Sequence, residues 1–362
     1  MRPVYVLALF IPAALVLDLA NAPDTTIFFA AAIGVIPTAA LMGRATEELA
    51  AQSGPGIGGL LNVTFGNAPE LIIALFALGK GLQEVVKASI VGSVISNILL
   101  VLGAAMFFGG LKREKQTFNR TMAHSQAAML LLALVAVVMP ALFELIRGHG
   151  LPAVGDTRVN YGSKVEAVSA IVSGILLLSY CAGLYFSLST HRELFNPYIE
   201  AVEEEEQARG WSVRRSVLLL ALAGAGVALM SELLVGSIEH AAKSVGLSQF
   251  FIGAVVVAIV GNAAEHWVAV LVALKDKMDL AVNIAVGSSA QVALFVAPLL
   301  VLLSFVIGPH PMALVFNGYE VAALLLAVVI ANFTTQEGES NWFEGLQLLG
   351  VYVVLGVVFA FA

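Results

Sequence analysis

The chain has 362 residues; 59% are hydrophobic, only 12% are charged, and the formal net charge is -7. Soluble domains carry about a quarter charged residues. This balance, with a mean hydropathy of +0.93, excludes a soluble globular enzyme, a disordered protein and a nucleic-acid binder. The single cysteine, Cys181, excludes a disulfide framework and a multi-cysteine metal site.

In chain order, eleven apolar stretches lie near 4–20, 27–49, 58–79, 89–110, 121–146, 164–190, 213–241, 250–274, 281–307, 312–332 and 343–361. A spanning helix needs about 20 apolar residues. The stretches are too long for barrel strands and lack period-two alternation. They predict an all-α polytopic membrane protein with eleven transmembrane helices. In the first stretch, Arg2, the apolar run and Ala20-Asn21-Ala22 also resemble a signal peptide. A retained helix is the favoured reading, and cleavage would leave ten spans with the same sidedness.

Basic residues in the loops set the orientation. Eleven fall on the side of the N-terminus: Arg2, Lys112, Arg113, Lys115, Arg120, Arg192, Arg209, Arg214, Arg215, Lys275 and Lys277. Six fall on the other: Lys80, Lys87, Arg147, Arg158, Lys164 and Lys243. The positive-inside rule then predicts a cytoplasmic N-terminus and an extracytoplasmic C-terminus.

An internal repeat organises the chain. Residues 66–93 align with 261–288 at a constant offset of 195 without gaps. Gly66-Asn67-Ala68-Pro69-Glu70 falls on Gly261-Asn262-Ala263-Ala264-Glu265, and Val91-Gly92-Ser93 on Val286-Gly287-Ser288. A weaker echo sets Thr46-Glu47-Glu48-Leu49 against Met230-Ser231-Glu232-Leu233. Small residues alone would fit helix packing, but shared Asn and Glu at the same registers do not. The predicted organisation is an N-terminal helix in 1–26, a five-helix repeat in 27–190, a cytoplasmic acidic linker in 191–212 and a second five-helix repeat in 213–362. Five spans is an odd number, so the second repeat enters the membrane inverted, as in many secondary transporters.

Glu70 and Glu265 lie near the middle of their spans, where a carboxylate costs about 2.5–3.5 kcal/mol on insertion scales. In each copy the Asn three residues earlier and the Gly four earlier share its helix face. Asn67, Asn262, Gly66 and Gly261 therefore join the glutamates as candidate ligands. Pro69 lacks an N–H and clashes with the carbonyl of Phe65, predicting a break near 65–69 that frees a backbone oxygen. Gly261 is expected to do the same more weakly. The next span of each half adds Ser93, Ser96 and Asn97, then Ser288, Ser289 and Gln291, as ligands or as interhelical hydrogen-bonding groups. These donors are hard oxygens, which suit calcium, magnesium or manganese over zinc or copper; six or more in a flexible geometry favour calcium. His266 points about 100° from Glu265. Two roles are open to it: tuning the protonation of Glu265, or helix packing.

Charge balance suggests a mechanism. Two carboxylates neutralise one divalent cation. Without it they repel in a low dielectric, and burial favours their protonated forms. Calcium and about two protons would then compete for the same oxygens, which is the behaviour of an exchanger.

At these residues the chain resembles the calcium/proton exchanger family of the cation/calcium exchanger superfamily. The matching segments are GNAPELI at 66–72, GSVISNILLVLG at 92–103, GNAAEHW at 261–267, VGSSAQ at 286–291 and QEGESNWFEG at 336–345. The resemblance covers essentially all of 27–361. It implies ten core helices plus an N-terminal one, alternating access, homotrimeric assembly in many members, and calcium ligation by Glu70 and Glu265 with help from the Gln291 region. It also implies a functional acidic segment between the halves, here Glu203, Glu204, Glu205 and Glu206. That run is either a solvated face or a calcium collector or sensor. Sodium/calcium exchangers carry further carboxylates in the second repeat helix; Ser, Asn and Gln stand there in this chain, which supports proton coupling. Pro69 departs from the Val or Ala of many relatives.

Glu48, Glu232 and Glu239 are candidates for the access path, and Glu320 for a vestibule. The runner-up function is a sodium-coupled or broader divalent (Mn2+) exchanger. A passive channel suits paired inverted motifs less well. An intramembrane enzyme finds no HExxH pair and no Ser with a neighbouring base. No cofactor is expected, only transported Ca2+ and protons. The short tails point to a prokaryotic inner membrane over a vacuole.

Overall fold

A computed structural model describes residues 4–156, 162–190 and 210–362. Its helices are α1 (Val4–Leu19), α2 (Asp24–Gln52), α3 (Gly54–Gly66), α4 (Ala68–Gly79), α5 (Gln83–Gly110), α6 (Arg120–Ile146), α7 (Lys164–Thr190), α8 (Val213–Val245), α9 (Gln249–Leu274), α10 (Met278–Leu303), α11 (Gly318–Thr335) and α12 (Trp342–Phe361). A two-residue ribbon pairs β1 (Gln116–Thr117) with β2 (Glu339–Ser340), antiparallel. Among the described residues nine helices are long and apolar enough to cross a membrane; α3 with α4 makes a tenth if the bent pair is one span. The all-α polytopic prediction holds. α1 is a shorter apolar helix that opens with a 3₁₀ stretch at Val4–Leu9.

The residues pack into two compact units, each drawing on both predicted halves. The first gathers Met1–Phe76, Cys181–Gly246 and Val260–Ala264. Its frame is α2 packed along α8. Thr38 lies opposite Gly226, and Met230 opposite Gly34, so small residues let the backbones approach. α2 has 29 residues and α8 has 33. At 1.5 Å per residue these helices are about 44 and 50 Å long, so they exceed a hydrocarbon core of about 30 Å and their charged ends reach beyond it.

The second unit gathers Ala77–Tyr180, Leu247–Ile259 and Glu265–Ala362. Its centre is the repeat pair α5 and α10, the most buried spans at 83% and 72% of their apolar windows. Around them α6 packs on α10 and α11, α9 packs on α5, and α12 packs on the second half of α5. Gly92 sets the distance between α5 and α9, because a Cβ there would lie 2.1 Å from the carbonyl oxygen of Ala254. A backbone oxygen cannot rotate away as a side chain can. Gly92→Ala should therefore cost at least the ~1–3 kcal/mol typical of overpacking, read as a lower unfolding temperature of the purified protein. An unchanged temperature would remove this contact from the account.

Three expectations are corrected. The span expected at 312–332 begins only at Gly318, and that at 281–307 ends at Leu303. Between them Met312 to Phe316 are buried outside any helix. Pro309 and Pro311 break the helical ladder, and side chains satisfy the buried backbone: Met312 N donates to Ser304 Oγ at 2.7 Å, and Leu314 N to Ser169 Oγ at 2.9 Å. Lys87, counted as a loop residue, lies within α5 and is buried. Glu320, expected in a vestibule, is buried in the first turn of α11, where it completes a capping box with Asn317.

Candidate functional site

The first motif sits where two helices meet at an angle. α3 ends at Gly66, α4 starts at Ala68, and the segments Leu60–Gly66 and Ala68–Gly79 are bent by 42°. Pro69 is the cause, since it denies the ladder an N–H and crowds the preceding turn. The Phe65 carbonyl does not stay free as expected: it accepts the N–H of Asn67, the junction residue. Asn67 is buried and Glu70, in the first turn of α4, is half-buried. A helix N-terminus there stabilises a carboxylate when it is ionised.

The second motif differs. The helix runs unbroken from Ala258 to Leu274, so the break expected at Gly261 is absent. Ala264 stands where the first copy has proline, and its N–H keeps the ladder intact. Gly261 serves close approach instead: a Cβ there would lie 3.3 Å from Cγ of Glu70 and 3.8 Å from Cδ1 of Ile73. A Cβ at Gly66 would meet nothing within 4 Å. The first unit thus holds the Glu70 side chain of one copy against the glycine of the other, with Asn262 fully buried beside it in sequence.

The second unit holds the remaining oxygens. Ser288 Oγ donates to Glu265 Oε2 at 2.9 Å. This bond joins α10 to α9 and orients the carboxylate. Glu265, Gln291 and His266 are half-buried, while Ser93, Ser96, Asn97, Ser288 and Ser289 are buried. His266 Nε2 lies 3.1 Å from Asn97 Oδ1, so the ring bonds across to α5. Ser96 Oγ donates to the carbonyl of Ser93 at 3.1 Å, and Ser289 Oγ to that of Ala285 at 2.8 Å. These two hydroxyls spend their protons on the helix backbone, a common interior use of serine. Among the described residues no three His, Cys, Asp or Glu side chains gather as a metal site. The donors present are single carboxylates joined by amide and hydroxyl oxygens.

The access-path acids are placed individually. Glu48 accepts the backbone N–H of Trp211 at 2.8 Å and lies 3.8 Å from Arg44. The guanidinium groups of Arg44 and Arg215 lie 4.7 and 4.8 Å from the centroid of the Trp211 ring. Glu48 therefore ties the end of α2 to the segment that leads into α8. Glu232 is exposed on α8, and Glu239 pairs with Lys243 at 2.8 Å on its surface. Glu203, Glu204, Glu205 and Glu206 lie outside the described residues. The QEGESNWFEG segment builds β2 and caps α12: Asn341 Oδ1 accepts from Phe343 N and Glu344 N at 3.0 and 3.1 Å.

Sequence reasoning missed two amides, Gln126 on α6 and Asn283 on α10, which bond to each other at 2.5 Å. The signal was available, because an amide inside an apolar span needs a partner.

The family model described as sodium/calcium exchanger protein matches residues 24–189 and 215–361. The Ca(2+)/H(+) antiporter ChaA of Bacillus subtilis is 44% identical over 350 residues, covering 96% of each chain. The Ca(2+)/H(+) antiporter of Synechocystis sp. is 43% identical over 354 residues, covering 93% of this chain and 91% of its own. The solved structure of native YfkE superposes with a TM-score of 0.83 at 39% identity, covering 99% of this chain and all of the other.

Proposed function

The chain belongs to the sodium/calcium exchanger protein family, and we propose that it works there as a calcium:proton antiporter whose two motif glutamates, Glu70 and Glu265, carry the exchanged ions. The observation that carries this reading is the seating of the Glu70 side chain on Gly261. One copy of the motif supplies a carboxylate and the other supplies the room for it, as expected of a repeat that works as a pair.

The chemistry follows from the donors. Calcium takes six to eight oxygens in a flexible shell. Glu70 and Glu265 supply two charges. Asn67, Asn262, Ser288 and Gln291 supply neutral oxygens. Ser288 Oγ donates a hydrogen bond to Glu265, which holds that carboxylate in place. With calcium gone, the carboxylates accept protons in its place, and the neutral pair is the form that returns. Absence of further carboxylates beside Ser93, Ser96, Asn97, Ser288, Ser289 and Gln291 leaves few charges for sodium coupling. The names of the relatives, antiporters of calcium and protons, support this reading. The excess of basic loop residues on the side of the N-terminus supports a cytoplasmic N-terminus. The bacterial relatives support a plasma-membrane location.

The test is a flux assay on the full chain in proteoliposomes, with calcium and proton gradients set independently and sodium absent. An acidic lumen should drive calcium uptake, with about two protons leaving per calcium by charge balance. Uptake that requires sodium, or that proceeds without proton counterflow, would overturn the reading in favour of sodium coupling or a channel.

A further inference from the structure

Gln126 is a buried amide that none of the roles above explains. Its Nε2 donates to Asn283 Oδ1 at 2.5 Å. A methyl group on Gly287 would come within 2.9 Å of the same nitrogen and 3.2 Å of Asn283 Oδ1. Gln126 thus meets α10 at both Asn283 and Gly287, and the segment between those residues is a π turn. Such turns often mark functional sites; α10 carries a second one at Val292–Val296, just after Gln291.

The next residue is Ser288, which holds Glu265. In a helix each residue advances the direction of a side chain by about 100°. If Asn283–Gly287 relaxed to an ordinary α turn, Ser288 and the following Gln291 would swing away from their present directions. Gln126 also leaves Oε1 buried without a hydrogen-bond partner among the described residues. Leucine would fill the same space with no orphan acceptor, so packing alone does not account for an amide here.

We propose that Gln126 is a positioning residue for ion binding: its amide, paired with Asn283 across Gly287, holds the π turn of α10 that aims Ser288 at Glu265. The role rests on Glu265 being an ion ligand. Gln126 itself touches no ion; it acts through α10.

The experiment measures proton-driven calcium uptake by the full chain in proteoliposomes carrying Gln126→Leu, Asn283→Leu, or both. Gln126→Met serves if the leucine variant does not fold. Each single variant should raise the KM for calcium about tenfold, the effect of one lost positioning hydrogen bond, with turnover at saturating calcium little changed. The double variant should be no worse than either single one, since the two residues act as one pair. An unchanged KM, or a fall in turnover and thermal stability at the parent's KM, would make the pair a structural brace and overturn the proposal. Glu265→Gln is run beside them. If it loses uptake while the Gln126 variants keep the parent's KM, only the positioning role fails. If it transports normally, the Glu265 reading fails and takes the positioning role with it.

Discussion

Glu70→Gln and Glu265→Gln should each reduce proton-driven calcium uptake to the background of empty vesicles. Glutamine keeps the shape and one carbonyl oxygen but carries no charge and exchanges no proton. A divalent ion then faces one carboxylate. Losing one buried charged contact costs about 2–5 kcal/mol, so calcium should bind at least about thirtyfold more weakly. Proton return fails for the same substitution, because the amide has no site to load. The variants should stay folded, since Ser288 can still donate to the remaining oxygen at position 265, and Gly261 still accommodates a side chain of the same volume at position 70. Ser288→Ala should be milder, as it frees Glu265 to turn without removing its charge. Uptake near the parent's rate by either glutamine variant, at equal protein per vesicle, would end the assignment.

Much of this site was legible in the sequence because burying charge in a membrane is expensive. A mid-span carboxylate survives only with a function, and finding it twice with the same Gly and Asn before it pointed to Glu70 and Glu265. The break at Asn67 was legible because proline acts locally. Span positions were legible wherever apolar length coincided with helix, as from Arg120 to Ile146. Hydropathy reports burial, however, and burial is not helicity. The apolar run at 313–316 is buried as irregular chain, held by Ser304 and Ser169 from elsewhere in the fold. Gly261 shows the same limit. Its glycine was visible, but its use as a seat for Glu70 depends on a residue 191 positions away. Gln126 and Lys87 needed their partners on other helices before either had a meaning.

Lys87→Met should be among the most destabilising single changes in the second unit. The ammonium is buried, and Nζ donates to the carbonyl of Val315 at 2.8 Å. Glu320 and Glu84 are the charges that act on it. Each carboxylate has an anchored oxygen: Glu84 Oε1 accepts Gly155 N at 2.6 Å, and Glu320 Oε2 accepts Asn317 N at 2.8 Å. Each also has one buried oxygen without a hydrogen-bond partner among the described residues. Methionine would fill the volume of the lysine stem but leave two buried carboxyl groups without a cation, and the Val315 carbonyl without this donor. Removing one member of a buried ion cluster costs about 3–5 kcal/mol, so the purified variant should unfold at a clearly lower temperature. The compensated variant Glu84→Gln/Lys87→Met/Glu320→Gln separates charge from packing. It keeps acceptors for Gly155 N and Asn317 N and removes every charge in the cluster, so it should recover most of the loss. If the single variant is as stable as the parent, the cluster is not a stabilising centre. If the triple variant is as unstable as the single one, the contribution of Lys87 is the packing of its stem and its bond to Val315.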